Sequence, residues 1–195
     1  AAVFALDEEL LNLMKLSGSY QLTLSIESGD QDVVTKLIKK PINLKKTREK
    51  IELAKSYDFE IIANFIIGTP TETWDQIRKS LAYAESVDVD IVNIHIASPL
   101  PKTELMDICI REGVLETEDS VSGYTTGQIG TKEFTPFELQ VLRAFEWDRI
   151  NFSSQEKLGN VARMSGLTIE EAQGWRKSTR KHLGSTTDWQ NRFGD

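Results

Sequence analysis

The sequence contains very little cysteine, since Cys109 is the only one among its 195 residues. One thiol cannot form a disulfide framework or a zinc ribbon, and an iron–sulfur cluster normally needs several thiolates. No metal site is therefore predicted from the residues of this chain. The absence of a disulfide pattern and of a signal-peptide pattern predicts a reducing, cytoplasmic location.

Long apolar runs and positive charge are also scarce. The longest apolar run, from Ile61 to Ile67, is interrupted by Asn64 and is much shorter than the roughly 18 residues that a membrane span needs. The sequence carries 23 Lys and Arg against 30 Asp and Glu, which gives a net charge of −7. This acidic balance argues against a nucleic-acid partner.

Three short apolar segments, residues 21–26, 60–67 and 90–97, alternate with helical patterns. Their spacing of about 30 to 40 residues is typical of strand–helix–strand units, so a parallel sheet is predicted. Each helical segment is preceded by a residue that favours a helix start: Asp7, Asp30, Asn43 and Thr73. The predicted order is α-β-α-α-β-α-β-α over residues 6–113.

Polar residues share one face of each predicted strand. Glu27 ends the first strand on that face, Asn64 and Gly68 lie on it in the second, and Asn93 and His95 lie on it in the third. A barrel or half-barrel that binds a ligand at the carboxyl ends of its strands produces this pattern. Edge strands with one solvated face are the simpler alternative.

The C-terminal part differs in character. Residues 116–133 are polar and rich in Gly, Ser and Thr, which predicts a linker. Thr135, Pro136 and Glu138 then form a strong helix start. We therefore predict a half-barrel over residues 1–115, a linker over 116–133 and a small α-helical appendage over 134–195.

The three predicted strand ends carry motifs that are ordered along the chain. They are Ser25-Ile26-Glu27-Ser28-Gly29, Phe65-Ile66-Ile67-Gly68-Thr69-Pro70-Thr71-Glu72-Thr73, and Pro99-Leu100-Pro101-Lys102-Thr103 followed by Glu112-Gly113. With Lys39 or Lys40 between the first two, this ordered set resembles the second half of a radical S-adenosylmethionine enzyme of the group that often carries a cobalamin-binding domain. The resemblance covers about residues 6–115. Thr71 and Lys102 depart from the small residues usual at those positions.

The resemblance implies a partial (β/α) barrel whose strand ends bind S-adenosylmethionine. By that likeness Glu27 and Ser28 lie near the ribose. The likeness also places Asn64, Ile66 and Gly68 near the adenine and methionine parts, and Asn93 and His95 against the adenine.

The CxxxCxxC loop that holds the family's 4Fe-4S cluster is absent from the sequence, which begins at Ala1 rather than with Met. The resemblance therefore predicts the C-terminal part of a longer Fe-S oxidoreductase that acts on a small-molecule substrate. The cluster, the N-terminal half of the barrel and any cobalamin domain would lie upstream. This chain alone is expected to be inactive.

Two other hypotheses stay open from the sequence. A cluster-free barrel enzyme could use Glu27 and His95 as an acid–base pair, with His95 as the candidate catalytic residue. A non-enzymatic binding module could instead have kept the half-barrel as a scaffold. In either case, residues 21–26 would leave a sheet edge unpaired, which predicts self-association.

Overall fold

The computed structural model describes residues 1–115 and 126–184, with side chains as far as residue 178. Helices and strands alternate along the chain as far as Glu112, and three further helices follow. Their bounds are α1 Glu8–Leu16, β1 Gln21–Glu27, α2 Leu44–Ser56, β2 Glu60–Ile67, α3 Trp74–Ser86, β3 Ile91–Ile96, α4 Glu104–Glu112, α5 Pro136–Asn151, α6 Gln155–Met164 and α7 Ile169–Gly184. The strands form a parallel sheet in the order β1-β2-β3. This confirms the predicted α/β arrangement.

The predicted helix starts are present as side-chain caps. The carboxylate of Asp7 accepts a hydrogen bond from the backbone N–H of Leu10 at 2.8 Å. Thr73 and Gln76 form a reciprocal capping box at the start of α3. These contacts satisfy N–H groups that have no partner within the helix.

The segment after β1 is shorter than the helical pattern suggested. It forms one π-helical turn over Val33–Leu37. Asp30 begins it as predicted, because its Oδ1 accepts hydrogen bonds from the backbone N–H groups of Asp32 at 3.0 Å and Val33 at 3.2 Å. The turn brings Leu37 and Ile38 beside the carboxyl ends of the strands.

The register of the sheet places polar side chains at the same level. Asn64 of β2 pairs with Ser25 of β1 on one side and with Asn93 of β3 on the other. His95 lies opposite Ile66. The alternate residues of the strands are buried against the helices, so the two faces of the sheet differ as the sequence predicted.

Helix α5 packs against β3 and contributes to the same core as the strands. Leu139, Trp147 and Ile150 of α5 are buried in the cluster that includes Ile94 and Ile96 of β3. The amide of Asn151 also covers the edge of β3: its Oδ1 accepts from the N–H of Val92 and its Nδ2 donates to the carbonyl of Val92, both at 2.8 Å.

The connection into α5 also touches this core where the structure describes it. Ile129 is buried and forms an antiparallel bridge with Leu115. The first part of the predicted linker, residues 116–125, lies outside the described residues, as do residues 185–195 of the predicted appendage. The division of the chain at residues 115 and 133 stays a prediction.

Candidate functional site

A cavity of about 540 Å³ lies at the carboxyl ends of the strands, over the polar face of the sheet. Its size suits a small organic molecule. The predicted binding residues on its wall are Glu27, Asn64, Ile66 and His95, and further lining comes from Ser25, Leu37, Ile38, Thr69, Ile96, Ala97, Ser98 and Leu105. The other predicted residues, Ser28, Gly68 and Asn93, lie next to this wall in the chain without lining it.

Glu27 ends β1 in an unusual backbone conformation. Its φ is 76°, in the left-handed region that residues other than glycine rarely adopt, and the strand register shifts between Ser25 and Glu27. The side chain is buried to 7% exposure, and its Oε1 accepts a hydrogen bond from the ammonium of Lys40. Oε2 is left to accept a hydrogen bond from a hydroxyl or amino group of a ligand.

Glu72 fixes the turn that follows β2. Its Oε2 accepts hydrogen bonds from the backbone N–H groups of Gly68 at 2.8 Å and Thr69 at 3.0 Å. The carboxyl group is fully buried, and its Oε1 has no hydrogen-bond partner among the described residues. Burial raises the pKa of Glu72 to about 7. The buried carboxyl of Glu72 therefore holds Thr69 in its position on the cavity wall, although Glu72 itself does not line the cavity.

The turn after β1 is packed tightly on α3. The hydroxyls of Ser28 and Ser80 lie 2.8 Å apart and share a hydrogen bond, and both residues are buried. A Cβ at Gly29 would stand 2.3 Å from the Cβ of Tyr83, so only glycine fits there. Ser28 thus holds the turn through α3 in this structure.

The lower part of the cavity wall is polar. The Nδ2 of Asn93 donates to the Oδ1 of Asn64 at 3.1 Å. Next to this pair, the pKa of His95 lies below its ordinary value, because the ring is partly buried and the guanidinium of Arg143 is close, although Glu27 acts in the opposite direction. His95 is therefore mainly a neutral imidazole at neutral pH.

The mouth of the cavity lies between the π-helical turn and α4. The apolar side chains of Leu37 and Ile38 stand on one side and Leu105 on the other. An ion pair between Lys39 and Glu104 joins the same two elements, with both side chains more than half exposed. Exposed pairs of this kind contribute little to stability, so the mouth is held only weakly.

The residues present do not fit an iron–sulfur cluster. Within residues 1–115 and 126–184, as far as side chains are described, there is no group of three or more His, Cys, Asp or Glu able to hold a metal ion. Cys109 is fully buried in α4, as predicted, and burial raises the pKa of its thiol.

A family model matches the part of the chain that carries β1, β2 and the cavity residues on them. Residues 2–84 match the family model described as the Radical SAM superfamily. This match spans less than half of the chain, and residues 2–84 are similar to part of a radical SAM domain. It bears out the resemblance that the sequence motifs predicted.

The relatives with similar sequences are much longer than this chain. It is 40% identical over 133 residues to cytidylyl-2-hydroxyethylphosphonate methyltransferase of Streptomyces wedmorensis, which covers 65% of this chain and 25% of the relative. It is 34% identical over 104 residues to a putative methylthiotransferase of Methanocaldococcus jannaschii, covering 53% and 23%. The chain thus spans about a quarter of the length of these relatives.

A solved structure supports the fold. The radical S-adenosylmethionine methyltransferase TsrM from Kitasatospora setae, solved with cobalamin and a [4Fe-4S] cluster bound, superposes with a TM-score of 0.52. The match covers 80% of this chain and 30% of TsrM at 12% sequence identity. At that identity the likeness concerns the fold alone.

Sequence analysis missed several residues of the site. The sequence motif contains Glu72, but no role was predicted for its side chain. A glutamate four residues after the glycine of a strand-to-helix turn can accept hydrogen bonds from the N–H groups of that turn. Thr69 follows the same glycine. Arg143 lies in α5, far along the chain, and no local pattern connects it with β3.

In the described part of the chain, no helix is both long enough and apolar enough to cross a membrane.

Proposed function

We propose that this chain is the S-adenosylmethionine-binding C-terminal part of a radical SAM barrel. The observation that carries the proposal is the cavity at the carboxyl ends of three parallel strands, within a chain whose residues 2–84 match the family. The sheet would be the second half of a partial (β/α) barrel. The helices after residue 133 would be its appendage, and the location would be cytoplasmic.

The cavity wall suits the parts of S-adenosylmethionine. The free Oε2 of Glu27 can accept hydrogen bonds from ribose hydroxyls. Ile66 and Leu105 offer apolar contact for the adenine ring, and Asn64 offers amide hydrogen bonds. Asn93, Ser28 and Gly68 would act by holding these residues in place. When bound, S-adenosylmethionine supplies radical chemistry or a methyl group.

The cluster and a second cofactor belong to the part of the protein outside this chain. The 4Fe-4S ligands would be cysteines upstream, and the missing N-terminal half of the barrel would pair with β1. Because TsrM was solved with cobalamin, we extend the proposal to a cobalamin-binding domain upstream and to methyl transfer onto a small molecule. The relatives do not favour an acid–base enzyme using Glu27 and His95, or a non-enzymatic module.

The first test uses the native sequence upstream of Ala1, long enough for about one further domain. We expect a CxxxCxxC motif there. The longer protein, reconstituted with iron under anaerobic conditions, should show the spectrum of a 4Fe-4S cluster and consume S-adenosylmethionine. An upstream sequence without such cysteines, or a start codon at Ala1, would remove the radical mechanism.

The second test addresses the cavity. Equilibrium binding of S-adenosylmethionine to the reconstituted protein should weaken about tenfold in Glu27→Gln, since a carboxylate acceptor becomes a weaker amide. Glu9→Gln, at an exposed carboxylate of α1 outside the cavity wall, is the matched control and should bind normally. Equal affinity of both variants would contradict the placement of the ribose at Glu27.

A further inference from the structure

Two arginines of α5 have contrasting surroundings. Arg149 is paired with two carboxylates. Its guanidinium donates hydrogen bonds to both carboxylate oxygens of Glu85 at 2.7 and 3.0 Å and to Glu146 at 3.0 Å. Arg143 uses its Nε to donate to the backbone carbonyl of Ile94 at 3.0 Å. In the described part of the chain no carboxylate forms an ion pair with it.

Arg143 is also the more buried of the two. Its side chain is partly covered, and burial lowers the pKa of its guanidinium, whereas the carboxylates beside Arg149 raise that of Arg149. Covering a cation without a counter-ion costs free energy, and a bound anion offsets that cost. A structural arginine in such a position normally has a carboxylate partner, as Arg149 does.

The position of Arg143 connects it with the cavity. The carbonyl that holds its Nε belongs to Ile94, and the next residue, His95, lines the cavity wall. The charge of Arg143 also lowers the pKa of His95. Through its Nε the guanidinium is anchored at the edge of β3, one residue along the strand from the cavity-lining His95.

The neighbouring wall offers further donors. Since Asn93 donates to the Oδ1 of Asn64, the Nδ2 of Asn64 is directed away from that bond and has no acceptor among the described residues. Among the described residues that line the cavity, Glu27 is the only charged one, and its carboxylate is paired with Lys40. The polar end of the cavity therefore presents donors and positive charge without a competing free carboxylate.

We propose that Arg143, with His95 and Asn64, forms a binding site for an oxyanion group of the molecule that occupies the cavity. A carboxylate, phosphate or phosphonate has the planar or trigonal set of acceptor oxygens that a guanidinium binds with two parallel hydrogen bonds. The oxyanion belongs either to the substrate or to the methionyl carboxylate of S-adenosylmethionine. Only this choice of source rests on the proposed function.

The chain's own histidines report on the site. The sequence contains two histidines, His95 and His182, so each gives a separate imidazole resonance in a proton–carbon NMR spectrum of the full chain. Titration with methylphosphonate should shift the resonance of His95 in a saturable manner and leave that of His182 almost unmoved. Equal, linear shifts of both would indicate ionic screening and would overturn the proposal.

Variants of the two arginines provide the matched comparison. Arg143→Gln should abolish the saturable shift of His95, and Arg143→Lys should retain it with an affinity at least about tenfold lower, because an ammonium lacks the paired donors of a guanidinium. Arg149→Gln on the same helix should bind methylphosphonate as the unmodified chain does. Unchanged binding by both Arg143 variants would overturn the proposal, even if Arg143→Gln were poorly folded.

The source of the oxyanion follows from a competition in the reconstituted longer protein. If saturating S-adenosylhomocysteine abolishes the methylphosphonate effect, the site holds the methionyl carboxylate of the cofactor. If both bind together, the site holds the substrate. Both of these outcomes are consistent with an oxyanion site at Arg143. If the protein does not bind S-adenosylhomocysteine but the effect of the Arg143 variants persists, only the proposed function is contradicted.

Discussion

The edge of β3 is covered by α5, whereas the edge of β1 is contacted mainly at Thr23, whose carbonyl accepts a hydrogen bond from the amino group of Ala1. On the β3 side, Asn151 bonds both backbone groups of Val92, and Arg143 bonds the carbonyl of Ile94. These side chains occupy positions that a further strand would otherwise fill. At the β3 edge, Val92 and the Ile94 carbonyl are therefore bonded by side chains of α5, whereas no strand of the described residues lies on the edge of β1.

The turns beside the cavity are held in different ways. The turn after β2 is held by the buried carboxyl of Glu72, while Glu27 at the end of β1 pairs with Lys40, whose side chain is 39% exposed. An edge without a strand partner is what a domain completed by further strands at β1 would have. The contrast thus supports the proposed upstream half of the barrel.

The largest effect is expected from removing the cover of the β3 edge. Asn151→Ala leaves the N–H and the carbonyl of Val92 buried without partners, which should lower the free energy of unfolding by roughly 4 kcal/mol. Urea denaturation of the full chain measures it. Asn12→Ala, at an exposed position of α1, should change stability by less than about 0.5 kcal/mol.

If Asn151→Ala and Asn12→Ala unfolded at similar urea concentrations, the β3 edge would not be closed by this side chain, and the contrast between the two edges would lose its basis.

A pH dependence of stability should report on the buried carboxyl that holds the turn after β2. The pKa of Glu72 is about 7 in the folded chain, against an ordinary value of 4.5. Between these values the folded state holds a proton that the unfolded state has lost, so stability falls as pH rises and levels off above about pH 7. The total contribution is roughly 3 kcal/mol.

Glu72→Gln should remove most of that slope in unfolding measurements made across about pH 5 to pH 8, because an amide does not titrate. Glu9→Gln, an exposed glutamate of α1, should keep it. A slope that persists in Glu72→Gln would assign it to other groups.

The contact between α5 and the β2 turn should respond to a single methyl group. A Cβ at Gly68 would lie 2.3 Å from the Cδ1 of Leu139, and the φ of Gly68 is +83°. Gly68→Ala should therefore cost about 2 kcal/mol in urea denaturation. Gly159→Ala, in α6 with open space around its Cβ, should instead stabilise the chain by up to about 1 kcal/mol. If both glycine-to-alanine variants were stabilised, the side chain of Leu139 would have to move aside at little cost in free energy.

The sequence could predict those features that depend on local patterns. The polar face of the strands, the caps at Asp7 and Thr73 and the burial of Cys109 all follow from spacing and residue type within a short window. The cavity wall at Asn64 and His95 followed because parallel strands align their carboxyl ends.

Features that depend on distant contacts could not be predicted in this way. Arg143 lies 49 residues from Ile94, and Asn151 lies 59 residues from Val92. A pattern within a short window of sequence therefore cannot predict either contact. Helix α6 was also missed, although Ser154 caps it and Leu158 and Val161 have helical spacing. Because α6 is short and rich in polar residues, its few apolar residues give only a weak helical pattern in the sequence.

The smallest effect is expected at the open edge. The carbonyl of Tyr20 accepts from the N–H of Glu60, so alternation along the strand turns the backbone groups of Gln21, Thr23 and Ser25 toward the free edge. Apart from the Thr23 carbonyl, which already accepts from Ala1, these groups can pair with a second copy of the chain. Light scattering should therefore show a mass that rises with concentration, and Thr23→Lys should weaken this association about tenfold.

Thr35→Lys is the charge-matched control, since Thr35 is exposed outside the sheet and its substitution should leave the association unchanged. A monomer at every concentration would show that the β1 edge does not pair with another copy. Joining the native upstream sequence gives the sharper result. If the missing strands occupy the β1 edge, the longer protein should be monomeric while the present chain associates, because one edge cannot pair with both partners.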